Sequence, residues 1–372
     1  MNILDYIQRQ ANSTPDRVAI VCYHRNSERQ STLTYAEVYQ RMVTGAALPI
    51  PLLGDRWDGD FVLYTTGSTG KPKAVTVTQQ TVMRNSLNLI NGHGYSDGLQ
   101  FIIAGPMDHL GCWSKLFPTL MVGGTLHILP DGMKDMNAFF RVMSDTGKRY
   151  ASFLVPANLR MLIQFASDRL QSHAGVIDFI ETGAAPMSRG DMLTLCRLLP
   201  HSRLYNTYAS TEAGIVATYN YNDGKCKAAC CGVPFSNVDF SISGNGLIAG
   251  SSDIGFLDED GMLHIVGRQD DIINVGGLKV APAEIEDAAM TIAGIQDCIC
   301  IPRQHPVMGQ VPELLVVMRT GHSFDKRIIA KALVPLLERY KIPQFITDVD
   351  HIERTFNGKP NRSFYSTLNS PK

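Results

Sequence analysis

Residues 61–80 read FVLYTTGSTGKPKAVTVTQQ. The first six, FVLYTT, are apolar, aromatic and β-branched, the composition of a short strand. The run that follows supplies glycines, several hydroxyls, and lysines at 71 and 73. Backbone N–H groups freed by glycine, hydroxyl donors and a cation are what a loop needs to hold a polyphosphate. The run is not GxxxxGK[ST], because Pro72 follows Lys71 and no Ser or Thr directly follows either lysine. On composition alone, an ordinary turn between a strand and a helix explains it equally well.

Outward from this loop the chain alternates. Residues 3–10 and 34–43 carry helical patterns, with AIVCY a buried strand between them. GAALPIPLLGDRWDGD, rich in Gly, Pro and Asp, reads as a connector. A helical pattern resumes at 79–90. FIIAGP, TLHILP, ASFLVPAN and VIDFIETGAAP are then strand-like, with helical stretches between them. Such alternation predicts an α/β architecture around a largely parallel sheet. Near residue 230 the chain becomes turn-dense and strand-rich, a small β subdomain. APAEIEDAAMTIAGI then opens a helix with an early Pro and early acidic residues. The expected organisation is a large N-terminal α/β domain with a small β subdomain, residues 1–269, and a smaller mobile C-terminal α/β domain, residues 270–372.

Composition narrows the function. The 372 residues are 44% hydrophobic and 19% charged, with a formal net charge of -1. That is a globular balance with no global field to recruit nucleic acid or an anionic membrane. No apolar run approaches the roughly 18 residues of a membrane helix. The N-terminus lacks a basic start followed by an apolar core, so a cytoplasmic protein is expected. Cys226, Cys230 and Cys231 invite a zinc reading, but no second cluster or His spacing completes it. Free thiols are the simpler expectation for all eight cysteines.

Five stretches together resemble the adenylate-forming superfamily of AMP-binding acyl- and aryl-CoA ligases. They are YTTGSTGKPKAV, ETGAAPMS, YNTYASTEAG, SSDIGFLDEDGMLHIVGRQDDIINVGGLKVAPAEIE and RTFNGKPNR, in family order. The resemblance implies that a carboxylate and ATP give an acyl-adenylate and pyrophosphate, followed by thioester formation on CoA. A carboxylate is a poor electrophile until AMP gives it a good leaving group, and both reactants are anions. The site must therefore cancel charge and align them.

By resemblance, Thr65, Thr66, Gly67, Ser68, Thr69, Gly70 and Lys73 would wrap the β- and γ-phosphates. Thr211 would meet the α-phosphate and Glu212 would hold Mg²⁺; a solvated surface carboxylate is the alternative. Tyr208 would stack on adenine, with Gly183, Ala184, Ala185, Asn206 and Thr207 around it, unless Tyr208 is simply a packing residue. Asp253 would take the ribose hydroxyls, with Arg268 beside it. Lys359 would place a point charge between the carboxylate oxygen and the α-phosphate; the alternative is one solvated lysine among many. Asp270 falls at the family's hinge. Gly276 and Gly277 would let a pantetheine arm pass.

On the acyl side, AGPMDHLGCW holds both Asp108 and His109. The spacing after Pro106 resembles the CoA-ligase pattern and the GAAP string leans the same way, a resemblance that implies a neutral acyl or aryl acid with His109 near its carboxylate. An amino acid held by Asp108 is the lesser reading, and a His109 that merely packs or caps is another. Three departures from the family stand out. Ala74 and Ala209 replace usual glycines, and only about thirty residues separate Thr34 from Thr65, where the family has a sizeable α/β segment. A compacted N-terminal domain leaves apolar surface for a partner or a homodimer. It also suits the phosphopantetheine arm of an acyl carrier protein as acceptor, in a polyketide or other secondary-metabolite pathway. Adenylation for carrier-protein loading, and a degenerate, non-catalytic binding subunit, are the alternatives.

Overall fold

The computed structural model describes residues 2–24, 30–49, 59–66, 72–107, 109–210, 213–227, 229–354, 360–362 and 364–365. The chain forms two compact units. One comprises residues 1–184, 194–226 and 231–239; the other comprises 185–193, 227–230 and 240–372.

The first unit is built on an eight-stranded sheet. Its strands are β1 (Val18–Tyr23), β2 (Gln30–Thr34), β5 (Gln100–Ile103), β6 (Thr125–Ile128), β7 (Tyr150–Phe153), β8 (Ile177–Gly183), β9 (Arg203–Ser210) and β10 (Gly214–Asn220). Two further strands, β3 (Phe61–Thr66) and β4 (Pro72–Val77), form a separate antiparallel hairpin. The sheet order is β10-β9-β8-β7-β5-β6-β1-β2. Every pairing from β9 across to β1 is parallel, and only the two edge pairings are antiparallel. Strands β5, β6 and β7 are buried on both faces, so even their polar residues, Gln100, Thr125, His127 and Ser152, lie in the interior.

The helices start where their caps dictate. Asn2 and Asp5 form a capping box on Ile3–Ser13, and Thr34 and Glu37 form one on Tyr35–Thr44. Thr78 caps Gln79–His93, which ends at Gly94 in the left-handed region. Ile7, Tyr35, Val38, Leu89, Phe101 and Phe179 form the centre of the core, each fully buried.

The second unit contains the hairpin β12 (Asp253–Leu257) and β13 (Leu263–Arg268), which follows a three-residue strand β11 (Cys230–Gly232) in the chain. A sheet follows, of β14 (Ile273–Val275), β15 (Leu278–Val280), β16 (Ile295–His305), β17 (Gly309–Met318) and β18 (Phe345–Asp348). Helices Pro282–Met290 and Lys326–Leu333 pack Ile285, Ala289, Ile329 and Leu333 against it. Pro282 sits in the first turn of its helix, where its missing N–H costs nothing.

Candidate active site

In a parallel sheet all carboxyl ends lie along one edge. The chain passes from β5 to β6 on one side and returns with β7 on the other, so the strand order reverses at β5. Ligands in open α/β sheets bind outside the carboxyl ends at such a switch point. Here β5 leads into the His109 segment, β7 ends at Phe153, and β8 ends at Gly183. Strand β9 carries Asn206, Thr207 and Tyr208 and ends at Ser210. Three of the sequence motifs thus arrive at one edge.

Gly67, Ser68, Thr69, Gly70, Thr211, Glu212 and Lys359 lie outside the described residues, as does Asp108. Thr65 pairs with Lys73 and Thr66 with Pro72 in the β3–β4 ladder. The candidate phosphate loop therefore joins two antiparallel strands, rather than a strand and a helix.

His109 is the N-cap of helix Leu110–Trp113, and its Nδ1 accepts from the Gly111 N–H at 3.1 Å. It is half-buried and so has both a capping contact and an accessible face. A Cβ on Gly111 would lie 2.3 Å from Cε1 of Phe153, so this turn is seated directly on that ring. Gly183 is equally constrained: a Cβ there would lie 2.6 Å from the Thr207 carbonyl oxygen on β9. Ala184 follows at φ 67°, a left-handed conformation that costs a non-glycine residue about 1–2 kcal/mol. Ala185, next in the chain, is half-buried.

Alternation along β9 turns Asn206 and Tyr208 to one face and Thr207 to the other. Asn206 donates from its amide to Cys231 Sγ at 3.6 Å, and Tyr208 is 9% exposed. The Thr207 hydroxyl lies 3.0 Å from that of Thr218 and 3.4 Å from His93 Nε2.

His93 belongs to a charged cluster that the sequence reading missed. Lys115 donates to Glu181 Oε1 at 2.7 Å, and both side chains are 1% exposed. The second Glu181 oxygen faces His93 Nε2 at 3.7 Å. Burial pushes the His93 imidazole down to about 4, despite the opposing pull of Glu181. Neutral His93 leaves Lys115 as the counter-charge of Glu181. The lone lysine in WSKLFPTLM was the available signal, because an isolated charge in an apolar run must find a partner; VIDFIETG carries both Asp178 and Glu181 and did not single out Glu181.

In the second unit, Asp253 and Arg268 are register partners at the end of the β12–β13 hairpin. Arg268 Nε lies 3.8 Å from Asp253 Oδ1. Asp270 is exposed in the short turn Gln269–Asp271. Gly276 and Gly277, at φ 57° and 92°, form the two-residue turn between β14 and β15, a geometry with positive φ at both positions that favours glycine.

The segment bearing Lys359 is anchored on both sides. Arg354 pairs with Asp297 at 2.5 Å and bridges to Pro360. The Asn361 N–H donates to the Glu353 carbonyl at 2.8 Å. Arg362 spreads its guanidinium over three partners: Nη2 donates to both Glu286 oxygens, at 2.7 and 2.9 Å, Nε reaches Asp271 at 3.4 Å, and Nη1 donates to the Cys300 carbonyl. Arg362 and Glu286 were visible inside quoted motifs, but sequence alone gave no sign that they meet.

A family model described as AMP-binding enzyme matches residues 51–247, more than half of the chain, and AMP-binding enzyme C-terminal domain matches 284–359. The chain belongs to the adenylate-forming, AMP-binding enzymes. Surfactin synthase subunit 2 of Bacillus subtilis (strain 168) is 24% identical, over 82% of this chain and 10% of that protein. A 2-succinylbenzoate–CoA ligase of Listeria innocua serovar 6a is 24% identical, over 81% of this chain and 68% of the ligase. This AMP-binding chain thus spans a tenth of one relative and about two thirds of the other. ATP-bound MatB from Rhodopseudomonas palustris has the same fold, with a TM-score of 0.82 at 18% identity over the full length of both chains. Among the described residues of this family member, no helix is long and apolar enough to cross a membrane.

Proposed function

We propose that the protein activates a carboxylic acid as its acyl-adenylate with ATP and then passes the acyl group to a pantetheine thiol, that of CoA or of a carrier protein. A carboxylate oxygen attacks the α-phosphorus and the bond to the bridging oxygen breaks, releasing pyrophosphate. The thiol then attacks the acyl carbon, AMP leaves, and the thiol proton passes to solvent. One observation carries this reading: the His109 turn, the Gly183–Ala184 turn and the Asn206–Ser210 strand end all meet the carboxyl edge of one parallel sheet, around its switch point.

In this scheme the loop from Thr65 through Gly70, with Lys73, holds the terminal phosphates. Asn206, Tyr208 and the 183–185 turn hold adenine. Asp253 takes the ribose hydroxyls, and its register partner Arg268 orients it. Thr211 meets the α-phosphate, and the Glu212 carboxylate offers oxygen donors that suit Mg²⁺ arriving on the nucleotide; the ion would neutralise phosphate charge. His109 lies by the acid's carboxylate, and Lys359 neutralises the charge shared between carboxylate and phosphate. The smaller domain, from Asp270 onward, turns about that residue between the two half-reactions, and the Gly276–Gly277 turn faces the thiol.

Pyrophosphate exchange across a panel of aryl, short-chain and amino acids tests the reading. At least one acid should support exchange, and Lys359→Ala should lower the rate by about 10²–10³-fold while ATP binding persists. Exchange with no acid, or a wild-type rate in the variant, would refute it. Thioester assays with CoA and with a carrier protein then identify the acceptor.

A further inference from the structure

We propose that Lys115 and Glu181 are positioning residues for adenylation: their buried ion pair sets the spacing between the His109 turn and the Gly183–Ala184 turn. This inference rests on the adenylation reading above and adds Lys115, which lies outside the motifs, and a role for Glu181, the first residue of ETGAAPMS.

The geometry argues for it in three steps. First, the pair joins the right elements. Lys115 lies at the joint between helix Leu110–Trp113, capped by His109, and helix Leu116–Met121, which it caps; its N–H donates to the Cys112 carbonyl at 3.1 Å. Glu181 lies two residues before Gly183 on the same face of β8. Displacing either side chain pulls on a motif turn.

Second, the space between the two turns is filled from one side. The Phe153 ring sits against Gly111, and the Lys115 ammonium stands 5.2 Å from its centroid. The Leu154 N–H donates to the Glu181 carbonyl at 2.9 Å, so the end of β7 is tied to the same residue of β8. Phe153 fixes how close the turns can come, and the ion pair fixes how far apart they can drift.

Third, stability does not account for the pair. Taking two charges out of water costs several kcal/mol per ion, and apolar replacements of similar shape are often neutral or stabilising. A pair kept in the core despite that cost needs a role in geometry. In-line attack demands it, because a misplacement of about 1 Å near reacting groups can lower a rate about a hundredfold.

The test is the near-isosteric neutral variant Lys115→Met/Glu181→Gln, compared with wild type in pyrophosphate exchange and thermal melting. The expected result is a melting temperature near that of wild type, KM for ATP within about twofold, and kcat reduced about 10–100-fold. A folded variant with wild-type kcat and acid KM overturns the proposal, as does a rate loss that only tracks a lowered melting temperature. If the double variant does not fold, Glu181→Asp, which keeps the charge but shortens the reach, takes its place. It should melt normally and exchange at least tenfold more slowly, and a wild-type rate overturns the proposal. If the wild-type protein exchanges with no acid, the proposed function fails on its own. The pair is then judged by amide hydrogen exchange of the double variant. Faster exchange confined to residues 109–113 and 181–184 supports it, and unchanged protection there overturns it.

Discussion

Gly183→Ala and Ala184→Gly are opposite changes at adjacent positions, and the structure gives them opposite signs. At 183 the added methyl would lie 2.6 Å from the Thr207 carbonyl oxygen, whereas ordinary contact begins at 3.4 Å. The ends of β8 and β9 would have to part by about 0.8 Å, within a ladder where Gly183 and Thr207 are register partners. Such overpacking costs about 1–3 kcal/mol. For a unit of this size that lowers the melting temperature by roughly 2–10 °C. Because β9 carries Asn206 and Tyr208, KM for ATP should rise several-fold as well. At 184 the native alanine is already strained at φ 67°, and glycine relieves about 1–2 kcal/mol. Glycine's larger unfolded-state entropy returns about 0.4–1 kcal/mol of that, so the variant should gain up to about 1 kcal/mol. Differential scanning calorimetry with and without ATP, together with pyrophosphate exchange, reads both. If Gly183→Ala melts within 1 °C of wild type, or if Ala184→Gly is the less stable of the two, the packing argument at this edge is wrong.

Acid should weaken the fold through two buried histidines. Burial lowers both His93 and His127 to about 4, and His127 also meets Gln100 Oε1 at 2.9 Å. Unfolded, each titrates near 6.5. Between pH 6.5 and about 4 the unfolded chain therefore binds protons that the folded chain refuses, and stability falls with pH by about 1.4 kcal/mol per unit for each histidine. Urea unfolding across that range should show this slope, and His127→Gln should remove about half of it; an unchanged slope would exclude His127. Arg362→Lys replaces a guanidinium that meets Glu286, Asp271 and the Cys300 carbonyl through three separate nitrogens by a point charge. Its rate of pyrophosphate exchange should fall about tenfold or more with ATP binding kept, and an unaltered rate would show that the anchor does not position Lys359.

Much of this was legible in the sequence, for identifiable reasons. FVLYTT became β3 residue for residue, because a β-branched and aromatic run bounded by glycine has few other uses. The helical pattern over 34–43 became helix Tyr35–Thr44, started by the reciprocal cap of Thr34 and Glu37. Strand–helix alternation declared a largely parallel sheet, and every pairing from β9 to β1 is parallel. The second strand of the candidate phosphate hairpin was less visible, because PKAVTV opens with a proline and a lysine that suggest a loop. Contacts between distant segments were not legible at all. Lys115 and Glu181 are 66 positions apart, and Arg362 and Glu286 are 76 apart. No local pattern records which buried charge neutralises which; only the folded topology does.

The anchors on either side of Lys359 carry a last implication. Arg354 and Pro360 are held, so the five residues between them have two fixed points to connect. Lengthening such a loop by one residue costs only a few tenths of a kcal/mol in closure entropy. The same insertion shifts the chain by up to about 3.5 Å, more than the whole tolerance of a charge-stabilising contact. With Lys359 in its proposed role, natural length variation in this short span would pass unnoticed by the fold while silencing the chemistry, which would make its length a sensor of selection on activity alone.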